Sequence, residues 1–578
     1  MWSNTARRTK IVAVASGVAL ASLIGAQANA APSATPQILP LNADDLLVSR
    51  LVYVGAPGLL TPGQTVLPPG CTSGCATAVS DGTYPQVFNN ALVDPSFGVT
   101  APISLDEMTT TGNVVGTITV PAGDNGTGNG GLTDHLVGSF SSKSELALNL
   151  SPDGRSLTFT GYVAPVNAID VSNSNTPGAV DPTNPVTASH YRAVAVMNFP
   201  GHFSFTETNA YSGNNARAAI LNTSGQHPVI YAAGNAGNGG NPQPNSIIIG
   251  TGAQILNPQI VPEFVQTPGT PTPVGSFNIT QLGDPPDKIG KDTNFNALAI
   301  HNNVLYYTKG SGGNGVNTVY FLDTTGTACP QGVGVPATNA ALPTSGIAYD
   351  PNKVQTQGIT PYNMCILKGF PTALKTTTFF PSGLWFADDN TLYVTQQGDG
   401  LAVTNTKKQH TGGLQKWTRQ ADGSWTLAYT VQAGLNLGTP YTVAGYPTGN
   451  NPATGQPWAP ATDGLRAFTG RHNPDGSVTL YAVTAAISGS GDNGADPNKL
   501  VAVTDQPAAT SPAVNEAFTG LRNAQAGEVL RGVTLTPNEG VVIPPIPTIP
   551  PLPTLPPIPP ITIPPLPTLP PIPPITIP

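Results

Sequence analysis

Residues 382–398 read SGLWFADDNTLYVTQQG, with Leu384 and Phe386 in one phase, the polar cluster Asp388-Asp389-Asn390, and then Leu392 and Val394 in phase again. Two short runs of period two around a polar break predict a pair of strands joined by a tight turn. The pattern continues into 412–418 and 424–431, joined by Ala421-Asp422-Gly423, and so completes a unit of four strands. A four-stranded unit that recurs along a chain predicts the blade of a β-propeller.

The recurrence is regular enough to number. Strands are predicted over 146–150, 156–162, 191–198 and 202–208, where Ser151-Pro152-Asp153-Gly154 supplies the positive-φ residue of the first turn. Further sets fall at 217–222, 229–233, 246–250 and 276–280; at 297–301, 304–308, 318–323 and 364–369; and at 464–470, 477–483, 499–504 and 516–521. The N-terminal end offers three strands, 46–54, 102–108 and 114–120, without an inner one, and the C-terminal end offers one inner strand, 531–537, without the rest. Joining the two fragments closes a ring and removes the unpaired edges an open one would leave. The prediction is a single all-β propeller of about six four-stranded blades over 45–540, closed by a latch of N- and C-terminal strands. The long Gly/Asn/Pro loops leave space for a seventh, irregular blade. A β-sandwich would need far fewer strands.

Composition agrees with many short strands and turns: 9% of residues are charged, and there are 64 Gly and 62 Pro. Residues 1–30 carry Arg7, Arg8 and Lys10, then an apolar run, then Ala28-Asn29-Ala30, the layout of a cleaved secretory leader. Residues 31–44 read as a flexible lead. Losing the leader reduces Lys plus Arg from 23 to 20 against 31 Asp plus Glu, a net charge of 20 − 31 = −11. That surface disfavours nucleic acid and anionic membranes. Export suits the four cysteines, for which Cys71 with Cys75 and Cys329 with Cys365 is the simplest of three pairings.

After Asn538 the composition changes. Residues 543–578 contain only Pro, Ile, Leu and Thr, and PPLPTLPPIPPITI at 550–563 repeats at 564–577. So many missing backbone donors exclude sheet and helix, and the absence of Gly excludes collagen, leaving a polyproline II tail over 541–578, a rod on the order of 100 Å long. It predicts a spacer, or a contact with a cell wall or hydrophobic surface. It cannot span a bilayer as a helix, so no integral membrane protein is expected.

Chemistry is sparse. His135, His190, His202, His227, His301, His410 and His472 are scattered with no metal-binding spacing, and no HExxH, GxSxG or phosphate-loop motif occurs. The acidic loops Asp388-Asp389-Asn390 and 492–496 each hold too few oxygens for calcium alone. No cofactor is predicted. Propeller sites lie where the loops leading into the inner strands converge, and there the chain offers Asn214, Asn215, Arg217, Asn296, Trp385, Asp463, Arg466 and Arg531. Arginines, amides and one Trp can hold an anionic or sugar-like ligand by bidentate hydrogen bonds and stacking. Arg and Asn at such positions also serve as turn caps and loop ion pairs.

The runs LVSRLVYVG, SLDEMTTTGNVVGTITVP, LNLSPDGRSLTFTGY, NAYSGNNARAA, FNALAIHNNVLYYTKG and VLRGVTLTP, in this order, resemble a loose group of uncharacterised secreted bacterial β-propeller proteins. The resemblance implies fold and export, and carries no catalytic residue. The expected function is a non-catalytic binding or scaffold module at or outside the cell surface, its partner a small molecule, glycan or protein. The alternative is a propeller enzyme, a lactonase-like hydrolase or a lyase, which requires acids, a histidine and a metal on the axis, with Asp463 and His301 converging.

Overall fold

The computed structural model describes residues 41–538, apart from 56–57, 68, 70–74, 79, 86–97, 122–131, 182–185, 200, 236–251, 267–293, 312–315, 330, 347–363, 374–377, 401–411, 453 and 491. The leader, most of the lead, Cys71, and the tail lie outside the described residues. Within them the chain is all-β. Its helical content is one 3-10 turn, Val171–Asn173.

Strand Thr391–Gln396 shows why the sheets assemble as they do. Leu392 and Val394 point to one face and join a core with Leu298, Leu305 and Ile366, whereas Tyr393 points to the other and joins Leu465, Leu480 and Val501. Both faces of the sheet are therefore apolar and both are covered, by the unit before and the unit after. Each such Leu or Val contributes about 1.5–3 kcal/mol of burial. The same arrangement passes from sheet to sheet, through Val196 with Leu221 and Ile230, and through Tyr481 and Leu500 with Val48 and Val533.

The result is a propeller-like ring with four small sheets. They are Ala216–Asn222, Val229–Gly234, Ala253–Leu256; Ala297–His301, Val304–Lys309, Thr318–Leu322, Met364–Leu367 with Val333–Gly334; Pro381–Asp388, Thr391–Gln396, Gly413–Arg419, Trp425–Val431; and Ala461–His472, Val478–Ile487, Lys499–Asp505, Thr519–Asn523. A nine-stranded sheet completes the ring. The innermost strands touch in order around it, Asn149–Leu150 to Ala216–Asn222, then Ala297–His301, Pro381–Asp388, Ala461–His472, Glu528–Leu535, and back to Asn149–Leu150.

Closure is made by the two ends of the chain. Glu528–Leu535 pairs antiparallel with Leu46–Val52, from Leu46 opposite Leu535 to Val52 opposite Glu528. Leu46–Val52 pairs in turn with Thr100–Met108. Arg50 and Arg522 both bind Asp106, at 2.6 Å each, and Arg50 also reaches Glu528 at 3.2 Å. The expected latch is present, and it extends further than expected: Leu41 is buried, and Asn42, from the expected lead, donates to Glu107 at 2.7 Å.

Several strands differ from expectation. The first two units are one sheet, because Leu136–Ser139, a strand with no alternation to reveal it, pairs with both Thr100–Met108 and Ser156–Val163. The inner strand expected over 146–150 is only Asn149–Leu150, since Leu146 takes a left-handed φ of 60° and the chain before it turns into the ring. In the next unit the third strand is Ala253–Leu256, paired with Ile230 to Ala233; residues 246–250 and 276–280 lie outside the described residues. The outermost strand expected over 516–521 is Thr519–Asn523. Cys329 and Cys365 form the expected disulfide, buried with Cα atoms 6.0 Å apart, and Cys75 is also disulfide-bonded.

Two outcomes test this account. Removing residues 528–578 abolishes the cooperative calorimetric unfolding transition, whereas removing 541–578 leaves its midpoint within about 2 °C. Replacing Cys329 and Cys365 together by Ser lowers the unfolding free energy in denaturant titrations by about 3–4 kcal/mol, the chain-entropy value for a loop spanning 36 residues.

Candidate functional site at the ring axis

Arginine at the start of an inner strand would ordinarily alternate into an apolar sheet face, where it cannot be solvated. A β-bulge changes its direction. Between Ala216 and Ala218 the register slips by one residue, which is Arg217; between Leu465 and Phe468 the slip holds Arg466 and Ala467; opposite Ser49 it holds Arg531 and Gly532. A fourth slip, between Pro381 and Leu384, holds Ser382. Each bulge carries a small residue beside the redirected one.

What these residues meet is the chain itself. After Leu136–Ser139, residues 140–147 (FSSKSELA) run into the centre of the ring. The guanidinium of Arg466 donates to the Lys143 carbonyl at 3.0 Å, that of Arg531 to the carbonyls of Phe140 and Gly494, and the Ala147 amide donates to the Arg217 carbonyl at 3.3 Å. Ser49 bridges Leu146 and Gly532, donating at 2.9 Å and accepting at 2.7 Å. The fit is close: a Cβ on Gly494 would lie 1.6 Å from the Ser141 carbonyl oxygen, and one on Gly532 2.3 Å from that of Leu146. Among the described residues a cavity of about 20 Å³ lies beside that segment, lined by Lys143, Glu145, Asn296, Ser382, Arg466 and Arg531, with small neighbours.

Electrostatics follow from burial. Glu145 accepts from the Tyr162 hydroxyl and, at 3.4 Å, from the Ser139 amide, yet burial pushes its carboxyl up to about 7. Burial, then repulsion from Arg466, draws Arg531 down to about 9. Above the cavity, burial and the nearby Asp399 push Asp463 up to about 7 although it accepts the Gly400 amide at 2.8 Å, and burial holds Asp496 at about 6 despite donors from Tyr446, Ser488 and Ser490.

Of the residues singled out from sequence, Asn296, Arg466 and Arg531 line the cavity, and Arg217 donates to the Asn296 side chain and, at 3.4 Å, to Asn215. Asn214 is engaged by Asn235 at 2.5 Å and, through its carbonyl, by Arg192. Asp463 lies outside the cavity lining. Trp385 is not brought to the axis: it lies against Gly470, its ring 6.1 Å from Tyr393 and 5.5 Å from His472. Lys143, Glu145, Tyr162 and Arg192 escaped the sequence reading. The available signal was the SKSE stretch, which places two charges in a chain that has few.

The other candidates are turns. Asp388 accepts the Asn390 amide at 2.7 Å, and Asp389 accepts from His301 at 3.0 Å and Asn302 at 2.7 Å. His301 also stacks on Phe386, ring centroids 4.3 Å apart. It is five residues beyond Asn296, roughly 15 Å along the strand from the cavity, and does not converge with Asp463. Among the described residues the one grouping within metal-binding reach is Asp323 with Cys329 and Cys365, whose sulfurs form the disulfide and whose carboxylate caps Thr325, Gly326 and Ala328.

The strand pairings define an all-β protein with a propeller-like ring. No family model matches the chain, and no curated protein does. Among solved structures, a protein of unknown function from Dyadobacter fermentans is similar at 8% identity and a TM-score of 0.27, over 67% of this chain and 93% of that one.

The raised Glu145 gives a signed pH dependence. Below pH 4.5 the carboxyl is protonated folded or unfolded; as pH rises to about 7 the unfolded chain ionises and the folded one resists, so stability is lost across that window. Glu145→Gln removes this loss. Chemical denaturation then shows the variant gaining on the parent by roughly 3 kcal/mol between pH 4 and pH 8.

Proposed function

We propose that the chain is an exported, non-catalytic β-propeller that acts as a binding or scaffold module at or outside the cell surface. The observation that carries this reading is the occupied axis. Propeller enzymes place substrate where the inner strands converge, and here, among the described residues, 140–147 occupy that position beside a cavity of about 20 Å³. That volume admits one particle the size of a water molecule. Recognition of a small molecule, glycan or protein therefore falls to the loop-bearing faces.

In this reading the nine-stranded sheet counts as two blades sharing the short strand Leu136–Ser139, which makes six with the four small sheets. The six innermost strands touching in a closed cycle support that count. Residues 1–30 act as the leader, 31–44 as the lead, 45–540 as the propeller, and 541–578 as a polyproline rod that sets it away from a wall or docks on a hydrophobic surface. The buried Cys329–Cys365 disulfide suits an oxidising compartment. No helix among the described residues is long and apolar enough to cross a membrane. The chain then groups with the uncharacterised secreted bacterial propellers its sequence resembles.

The test is fractionation of the producing cells together with elemental analysis of the purified protein. The full chain is expected with the cell envelope, and the chain lacking 541–578 in the medium. A tail-less protein retained on the envelope removes the display role, and a stoichiometric transition metal turns the reading toward the enzyme.

A further inference from the structure

The axial cavity, of about 20 Å³, is lined by three cationic residues, Lys143, Arg466 and Arg531, and one acidic residue, Glu145. The carboxyl does not neutralise them fully. Its Oε1 accepts a hydrogen bond from the Tyr162 hydroxyl and its Oε2 one from the Ser139 amide, and it acts on Arg531 through its charge and not through a direct hydrogen bond.

Arg531 donates through Nη2 alone, to two backbone carbonyls, and its buried Nε–H has no acceptor among the described residues. An unmet charged donor in a low-dielectric interior costs more than a neutral one, and a like charge on the same cavity adds to that cost. The other acids act from outside the lining. Asp492, with Glu145, bears on Arg531, Asp463 bears on Lys143 and Arg466, and Asp496 bears on Lys143. Asn296 adds a buried amide, fixed by Arg217 on its oxygen and by the Pro381 carbonyl on its nitrogen at 3.3 Å.

We propose that this cavity is a binding site for one small monovalent anion of the size and charge of chloride, held by Arg531 beside Arg466. The volume suits a monatomic ion and excludes sulfate or a sugar acid. The ion supplies the acceptor that Nε lacks and separates two guanidinium groups that would otherwise repel across the cavity. It also gives a reason for bulges that aim arginines inward at a position where the chain leaves no room for an organic ligand. The inference does not rest on the display reading, and neither outcome below bears on it.

The full-length protein, dialysed into gluconate and returned to constant ionic strength with chloride, bromide or sulfate, gives the test. Its melting temperature is expected to rise saturably with either halide and not with sulfate. Crystals soaked in bromide are expected to show an anomalous peak within hydrogen-bonding distance of Arg531 Nε. Arg531→Met abolishes the halide response. Glu145→Gln, by removing the competing negative charge, tightens it on the order of tenfold. A melting temperature indifferent to halide, or a cavity in the bromide-soaked crystals that holds water only, overturns the proposal. Because the crystal measurement uses the unaltered chain, a variant that fails to fold does not decide it.

Discussion

The sheets that form the ring are apolar on both faces, and that single condition governs the rest. A sheet such as Pro381–Asp388 with its three partners cannot sit at the surface of a sandwich, where one face meets water. It requires a neighbour on each side, and each neighbour has the same requirement. A stack of such sheets is satisfied only when the last covers the first, and strand twist bends the stack into a ring. The pairing of Glu528–Leu535 with Leu46–Val52 is therefore a condition on the whole body and not a local contact. Leu530 and Val533 lie beside Leu46 and Val48 in one sheet, and together they meet Tyr481 and Leu500 of the neighbouring sheet. Without them two apolar faces would be exposed at once.

Closing the ring creates a second problem at its centre. The innermost strands converge and touch, but those of neighbouring sheets are not hydrogen-bonded to one another. The chain resolves this by inserting residues 140–147 and tying them to the inner strands through main-chain groups: the carbonyls of Phe140, Lys143 and Leu146 and the amide of Ala147. The bulges turn Arg466 and Arg531 toward that filling and Arg217 toward Asn296 and Asn215. Glycine at 494 and 532 then follows from the same geometry, since a methyl group at either would collide with the inserted backbone. The polar axis and the apolar interfaces are thus two consequences of one closure.

How much of this a reader of the sequence can obtain depends on where each signal is kept. Alternation belongs to a strand whose neighbours are near in sequence, so Thr391–Gln396 and Gly413–Arg419 were legible to within a residue or two. Leu136–Ser139 was not, because four residues buried on both faces show no alternation. Ala253–Leu256 was not singled out either, because four residues are too few to show a period. The latch was legible by subtraction, three strands lacking an inner partner at one end and one inner strand lacking the rest at the other.

At the site the same division holds. Ala216-Arg217-Ala218, Leu465-Arg466-Ala467 and Leu530-Arg531-Gly532 share an apolar residue, an arginine and a small residue, with the arginine in the first half of an inner strand, a local signal for a bulge that turns a charge out of the sheet. Trp385 satisfied the positional rule but not this one. It lies in regular register opposite Tyr393, so its ring stays between neighbouring sheets. Lys143 and Glu145 carried no local sign of their role, because their partners, Arg466 and Tyr162 among them, belong to other strands and meet them only once the ring has closed. A charged pair in a loop is indistinguishable from a solvated turn until something distant buries it, and here the burying surface is assembled from every unit of the ring.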